Sequence, residues 1–396
     1  MSPDRVRETP SEVSSSPNGG RDVAGPGATQ AALGRASAAA TPPTSRGPGS
    51  RHWLPTQPLV RHLLIALGGL AVIYAITSAA SSFQNFEIAE VGAYVVAIAG
   101  LTLLTGLNGQ ISLGHGALMA IGGYAAALIG LHSSLPLVPV LILATVAAAL
   151  AGAFIGLGAA RLRGPYLAGA TLALAVGLPA VAYRWPGELG GGTGLTLVQP
   201  TPPSFLGSSF DPQEWLAWIS AICAVITLVV LANLIRSRYG RSFRAVRDDE
   251  IAASLAGIHV ARTQILAFIV SSACAGLGGA LFALSMGFVN PGSFPLSLSI
   301  ALLAGMVIGG LGSLTGAIWG GILIVFLPQW ATSFSNHFGL SKAISSNLAF
   351  GIYGLALVVA MLVAPGGIQG GVRRLVHGVR ALRARSSTPA SAGLNS

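Results

Sequence analysis

Groups that could do chemistry are few in this 396-residue chain, and their spacing does not suit catalysis. A phosphate-binding loop needs Gly-Lys-Ser/Thr so that the lysine reaches the phosphates. The single lysine, Lys342, stands between Ser341 and Ala343. The seven histidines are scattered without metal-ligand spacing, and no nucleophile triad can be assembled. Cys223 and Cys274 lie inside apolar runs, where a cysteine packs as a small hydrophobe. The sequence therefore predicts no catalytic residue, no metal site and no cofactor in this chain. Its polar character is concentrated in a few short strings.

The densest runs from Arg236 to Ile258 and carries most of the interior charge. Asp248, Asp249 and Glu250 precede Ile251, Leu255 and Ile258, and acids at a helix N-terminus oppose the macrodipole. Gly257 is a natural stop. The spacing predicts a short helix over 249–256 with one apolar edge, fit to lie in a groove on a partner. The same residues also fit a solvated loop whose arginines set topology. A second string, Asn108-Gly109-Gln110-Ile111-Ser112-Leu113-Gly114-His115-Gly116, puts polar groups at membrane depth, where they must hydrogen-bond protein or line a wet path. It reads either as a tight turn with packing glycines or as part of a solute path. A third, Gly309-Gly310-Leu311-Gly312-Ser313-Leu314-Thr315-Gly316, echoes it as a weak internal repeat. Paired Gly-interrupted segments point towards a midplane site.

The elements that carry these strings are membrane spans. The chain is 52% hydrophobic and 9% charged, against about 25% charged in an ordinary soluble domain. Ten apolar runs can each cross a bilayer, which takes about 20 residues: 62–80, 90–107, 111–131, 135–160, 164–183, 215–235, 263–286, 295–311, 314–331 and 347–364. The fold expected is all-α, a polytopic helical bundle with Gly-rich broken or re-entrant segments. Residues 1–60 read as a disordered tail without a signal-peptide core, 61–372 as the membrane domain with a charged loop at 236–262, and 373–396 as a basic tail. With the N-terminus in the cytoplasm, every basic residue except Arg184 and Lys342 falls inside, which also places the C-terminus inside. That distribution accounts for the +10 net charge without nucleic acid; the partner it implies is the lipid bilayer. No Asp, Glu, Lys or Arg falls in the interior of the assigned spans; Glu90, the first residue of the second run, is placed outside together with Glu87. This counts against ion coupling.

Several strings resemble one family. Glu250-Ile251-Ala252-Ala253-Ser254-Leu255-Ala256-Gly257 looks like the EAA-type coupling motif of ABC-importer permeases. Tyr239-Gly240-Arg241 and Ala245-Val246-Arg247 match the branched-chain amino-acid permeases. Gly109 to His115 is similar to that family's first break, and Arg161-Leu162-Arg163-Gly164-Pro165-Tyr166-Leu167 to the start of its fifth span. Trp185 with Gly190, Gly191, Gly192, Thr193 and Gly194 resembles its external loop. Ser254 departs from the family, which often has Glu or another polar residue there.

The resemblance covers about 85–372. It implies the longer permease type of a high-affinity importer in a bacterial cell membrane, both termini cytoplasmic. The implied partners are a second homologous permease, two ATPase subunits holding the ATP and magnesium, and an extracytoplasmic substrate-binding protein. Arg247, Asp249, Glu250, Ala252, Ala253 and Gly257 would form the coupling loop. Asn108, Gly109, Gln110, Ser112, Gly114, His115, Gly312 and Ser313 would line the path, and Trp185, Gly191, Gly192 and Gly194 the external loop. The rival expectations are a urea or short-amide importer, a stand-alone carrier or channel, and a membrane scaffold.

Overall fold

The computed structural model describes residues 58–159, 165–204, 210–337, 351–352, 354–355 and 367–375. The tail up to residue 57, Arg161, Arg163, Gly164, most of the tenth expected span and the basic residues beyond 375 lie outside them.

The chain forms α1 (Pro58–Thr77), α2 (Ser82–Leu101), a π-helical turn (Thr102–Leu107), α3 (His115–His132), α4 (Leu137–Ala159), α5 (Pro165–Arg184) and the short α6 (Pro186–Leu189). Strand β1 (Leu195–Thr196) leads to α7 (Pro212–Arg236), α8 (Arg238–Asp248), α9 (Glu250–Leu255) and α10 (Val260–Met286). Strand β2 (Phe288–Val289), a 3-10 turn (Pro291–Ser293), α11 (Leu296–Gly310) and α12 (Leu314–His337) follow. Seven helices among the described residues are long and apolar enough to cross a membrane, and shorter apolar helices cover Leu67–Thr77 and Leu314–Trp330. Every expected span from the first to the ninth coincides with one of these.

The core is built around α10, which packs on α2, α3 and α4. Glycines allow the approach. A Cβ on Gly278 would lie 2.6 Å from the carbonyl oxygen of Ala93 in α2, and one on Gly122 would collide with the backbone of Gly276. Gly152 of α4 is closed off by the side chain of Ser272. Without a hydrophobic drive between helices in lipid, such backbone contact supplies the van der Waals attraction that holds a bundle together.

Two segments depart from the expectations. Residues 238–248 form a full helix, capped by Ser237, whose Oγ accepts the Tyr239 N–H at 3.2 Å. The three-residue spacing of Gly240, Phe243 and Val246 buries one face, while Arg238, Arg241 and Arg244 stay exposed. Helix α2 also starts eight residues before the expected span, because Ser81 and Gln84 form a capping box. Glu87 and Glu90 therefore lie inside a membrane helix, contrary to the expectation of acid-free spans. Glu87 is buried and accepts a hydrogen bond from Gln329 Nε2 of α12 at 2.6 Å, which offsets its desolvation.

Candidate functional site

The charged string and both glycine-rich breaks meet at one end of the bundle. Asp249 caps α9: its Oδ1 accepts the N–H groups of Ile251 at 2.8 Å and Ala252 at 3.0 Å. The helix closes with the Ile258 N–H on the Ala253 carbonyl and the Gly257 N–H on the Ser254 carbonyl, both at 3.0 Å. This Schellman arrangement requires the positive φ of +83° that Gly257 supplies. Ala253 is buried, and Glu250 Oε1 accepts from Gln264 Nε2 of α10 at 2.8 Å, so α9 is pinned by one side and by its start. Its other side faces outward: Ile251 is 73% exposed, Leu255 84%, and Ala252 is exposed.

Arg247 joins this hairpin to the first break. Its Nη1 donates to the Gly106 carbonyl oxygen at 2.7 Å. That carbonyl belongs to the π-helical turn ending α2, where the i→i−4 ladder is interrupted and carbonyls need outside donors. Gly109, at φ +79°, lies under the same side chain: a Cβ there would be 2.8 Å from Arg247 Cγ. The second break touches the first. A Cβ on Gly106 would be 2.7 Å from the Gly312 nitrogen, and Arg373 Nη2 donates to Ser313 Oγ at 3.4 Å. The second string is thus in backbone contact with the π-helical turn that leads into the first, and the charged hairpin is hydrogen-bonded to that same turn.

Most of the first break is buried, with Gly109 and Ile111 exposed. Asn108 Nδ2 donates to Gln110 Oε1 at 3.0 Å, and Thr105 Oγ1 to the Gln110 carbonyl at 2.9 Å. His115 Nε2 donates to the Ala97 carbonyl at 2.9 Å, which leaves Nδ1 as an acceptor. Gly114 lies against Thr171 of α5, whose Oγ1 accepts the Leu113 N–H at 3.0 Å. The Gly116 N–H reaches Ser299 Oγ of α11 at 3.0 Å. Asn108 Oδ1, Ser112 Oγ and His115 Nδ1 are buried without a hydrogen-bond partner among the described residues. Each such atom costs about 1–3 kcal/mol unless something satisfies it.

Trp185, Gly191, Gly192 and Gly194 lie at the opposite end. Trp185 is half exposed, and the Gly190–Gly194 turn closes through the Gly194 N–H on the Gly190 carbonyl at 3.0 Å. Beyond it, β1 pairs antiparallel with β2, Leu195 opposite Val289 and Thr196 opposite Phe288. Gln199 Nε2 donates to the Ser285 carbonyl at 2.9 Å, stapling this loop across the end of α10. The ribbon escaped sequence reading because its strands have only two residues each. The Arg247–Gly106 link escaped because 141 residues separate the partners. The periodic burial of Gly240, Phe243 and Val246 was the one signal that could have found α8.

Comparison with known proteins identifies the family of the chain. Residues 86–364 match the family model described as branched-chain amino acid transport system / permease component. The chain is 32% identical over 266 residues to the high-affinity branched-chain amino acid transport system permease protein LivM of Escherichia coli (strain K12), covering 62% of each chain. LivH of the same strain is 30% identical over 169 residues, 41% of this chain and 49% of LivH. BraD of Pseudomonas aeruginosa is 28% identical over 316 residues, 70% of this chain and 91% of BraD. This chain thus spans about three fifths of LivM, 62% of its length. No solved structure matches. A polytopic all-α bundle with a capped charged hairpin seated on paired glycine breaks, matched by the model over most of its length, belongs to the branched-chain amino acid transport permease family.

Proposed function

We propose that this chain is the membrane-spanning permease subunit of an ABC importer that brings branched-chain amino acids into a bacterial cell by ATP-driven alternating access. The observation that carries this is the seating of α9. A helix held at its cap, its buried side and its C-terminus presents Ile251 and Leu255 outward, and it follows directly on α8, whose Arg247 donates to the Gly106 carbonyl where the π-helical turn meets Gly312 of the second break. Such a helix can pass a push from outside the membrane to the helix pairs α2–α3 and α11–α12. ATP and magnesium belong to two partner ATPase subunits on the α9 side, which is cytoplasmic, as are both termini. A second, homologous permease completes the membrane unit, in keeping with the similarity to both LivM and LivH. A substrate-binding protein docks on the opposite end, where Trp185 and the glycine turn lie.

On this reading Asn108, Ser112 and His115 belong to the path, their unpartnered atoms meeting water or solute as the breaks part. Neutral polar groups and helix ends suit a zwitterion with an apolar side chain. The test is Leu255→Asp. Burying a leucine in a partner groove is worth about 1.5–3 kcal/mol, so the variant should lower co-purification of the ATPase and ATP-driven uptake by about tenfold or more, with membrane insertion unchanged. Unchanged uptake would remove α9 from the coupling role.

A further inference from the structure

At the end opposite α9, a cavity of about 560 Å³ opens between α2, α10, α11 and α12. This is within the range of small-molecule sites, about 300–1,000 Å³. Its walls include Tyr94, Phe282, Leu298 and Ile324, and among the described residues that line it none is a carboxylate, lysine, arginine or histidine. The apolar wall is stiffened by ring contacts: Phe282 stands 5.7 Å from Tyr94 and 5.5 Å from Phe294, centroid to centroid. Such a wall favours an uncharged side chain and repels a charged one.

One rim is polar. Asn290 Oδ1 is held by Ser293, accepting its N–H at 2.8 Å and its Oγ–H at 3.0 Å. The amide NH2 of Asn290 is therefore not engaged in that capping contact and remains a donor at the cavity edge. Ser297 adds a hydroxyl in the first turn of α11. Amide and hydroxyl donors beside an apolar wall match a carboxylate joined to an aliphatic chain. The rim is also tied to the ribbon. Phe288 lines the cavity and pairs with Thr196, and a Cβ on Gly194 would lie 2.7 Å from Asn290 Cβ. Contact with the Trp185 loop is thereby relayed to the mouth of the cavity.

We infer that this cavity receives the transported amino acid, its aliphatic side chain against Phe282, Leu298 and Ile324 and its carboxylate towards Asn290 and Ser297. The inference rests on the importer reading, because that reading makes this end the one that substrate reaches first. It adds a selectivity site in the permease itself, separate from the polar breaks at the α9 end.

The test uses the assembled complex and a photoactivatable leucine analogue carrying a diazirine, with labelled peptides mapped after irradiation. Leucine-protectable label is expected within residues 282–301, and lysine should not compete. Ala301→Trp fills the cavity and should lower that label by tenfold or more; elution of the complex as a single species checks its fold. Phe282→Ala widens the wall and should make phenylalanine as good a competitor as leucine. Leucine-protectable label confined to other segments, or undiminished label in Ala301→Trp, would overturn the assignment. ATP-dependent uptake by the same preparation separates the two claims. Cavity label without such uptake keeps the site and sinks the importer reading, whereas uptake without cavity label does the reverse.

Discussion

Arg247 is the residue on which the account turns. It is half exposed and forms a weak pair with Asp248 at 3.3 Å, so its value lies in the donor it offers Gly106. A hydrogen bond to a charged group is worth about 1.5–3 kcal/mol when shielded, and less for this partly exposed side chain. Arg247→Ala should lower ATP-coupled uptake by about threefold to tenfold. Arg241→Ala, on the exposed face of α8, should leave it near wild type. Proteoliposome uptake at matched protein content measures both, and equal effects of the two would mean that only loop charge matters. Some of this was readable from residue types. Asp249 before an apolar edge and Gly257 after it announced a capped helix, and the structure has that cap and that stop. The partner of Arg247 was not readable, because nothing local in either string marks a contact between them.

Helices and breaks show where sequence patterning carries structure and where it fails. A run of twenty apolar residues has one stable form in lipid, so the spans could be located from length alone. Polar first turns were invisible to that criterion: α2 extends back to Ser82 through a capping box, and Glu87 enters the bundle because Gln329 of α12 meets it. Helix α8 was missed for a different reason. Its arginines read in the sequence as topology signals, and that reading hid the outer face of an amphipathic helix that they cover. Packing between elements gives a further prediction. A side chain at Gly276 would press on Ala148 of α4, whereas one at Gly130 meets nothing within 4 Å. Overpacking a helix contact costs about 1–3 kcal/mol or more. Gly276→Leu should therefore lower the thermal midpoint of the purified protein in detergent, and Gly130→Leu should not. A similar midpoint for both would show that α10 is not the packing centre.

Across the whole molecule, the two ends have different equipment. One holds the charged hairpin and the contact of the π-helical turn with the second break; the other holds the ribbon, the glycine turn and a cavity with no charged side chain among its described lining residues. Helix α10 connects them, 27 residues long, or about 40 Å at 1.5 Å per residue. It begins beside α9 and ends at Phe282 and Met286 in the cavity wall. Movement imposed at α9 can thus reach the far end along a single rigid element. The most direct test is uptake into proteoliposomes by the complex of this chain with the proposed partner permease, ATPases and binding protein, with leucine, isoleucine, valine and urea as competing solutes. A permease subunit of an importer gives uptake of the amino acids that requires ATP and stops when the ATPase subunits are omitted. Uptake by this chain alone, without ATP, would contradict that role and make the protein a carrier or channel.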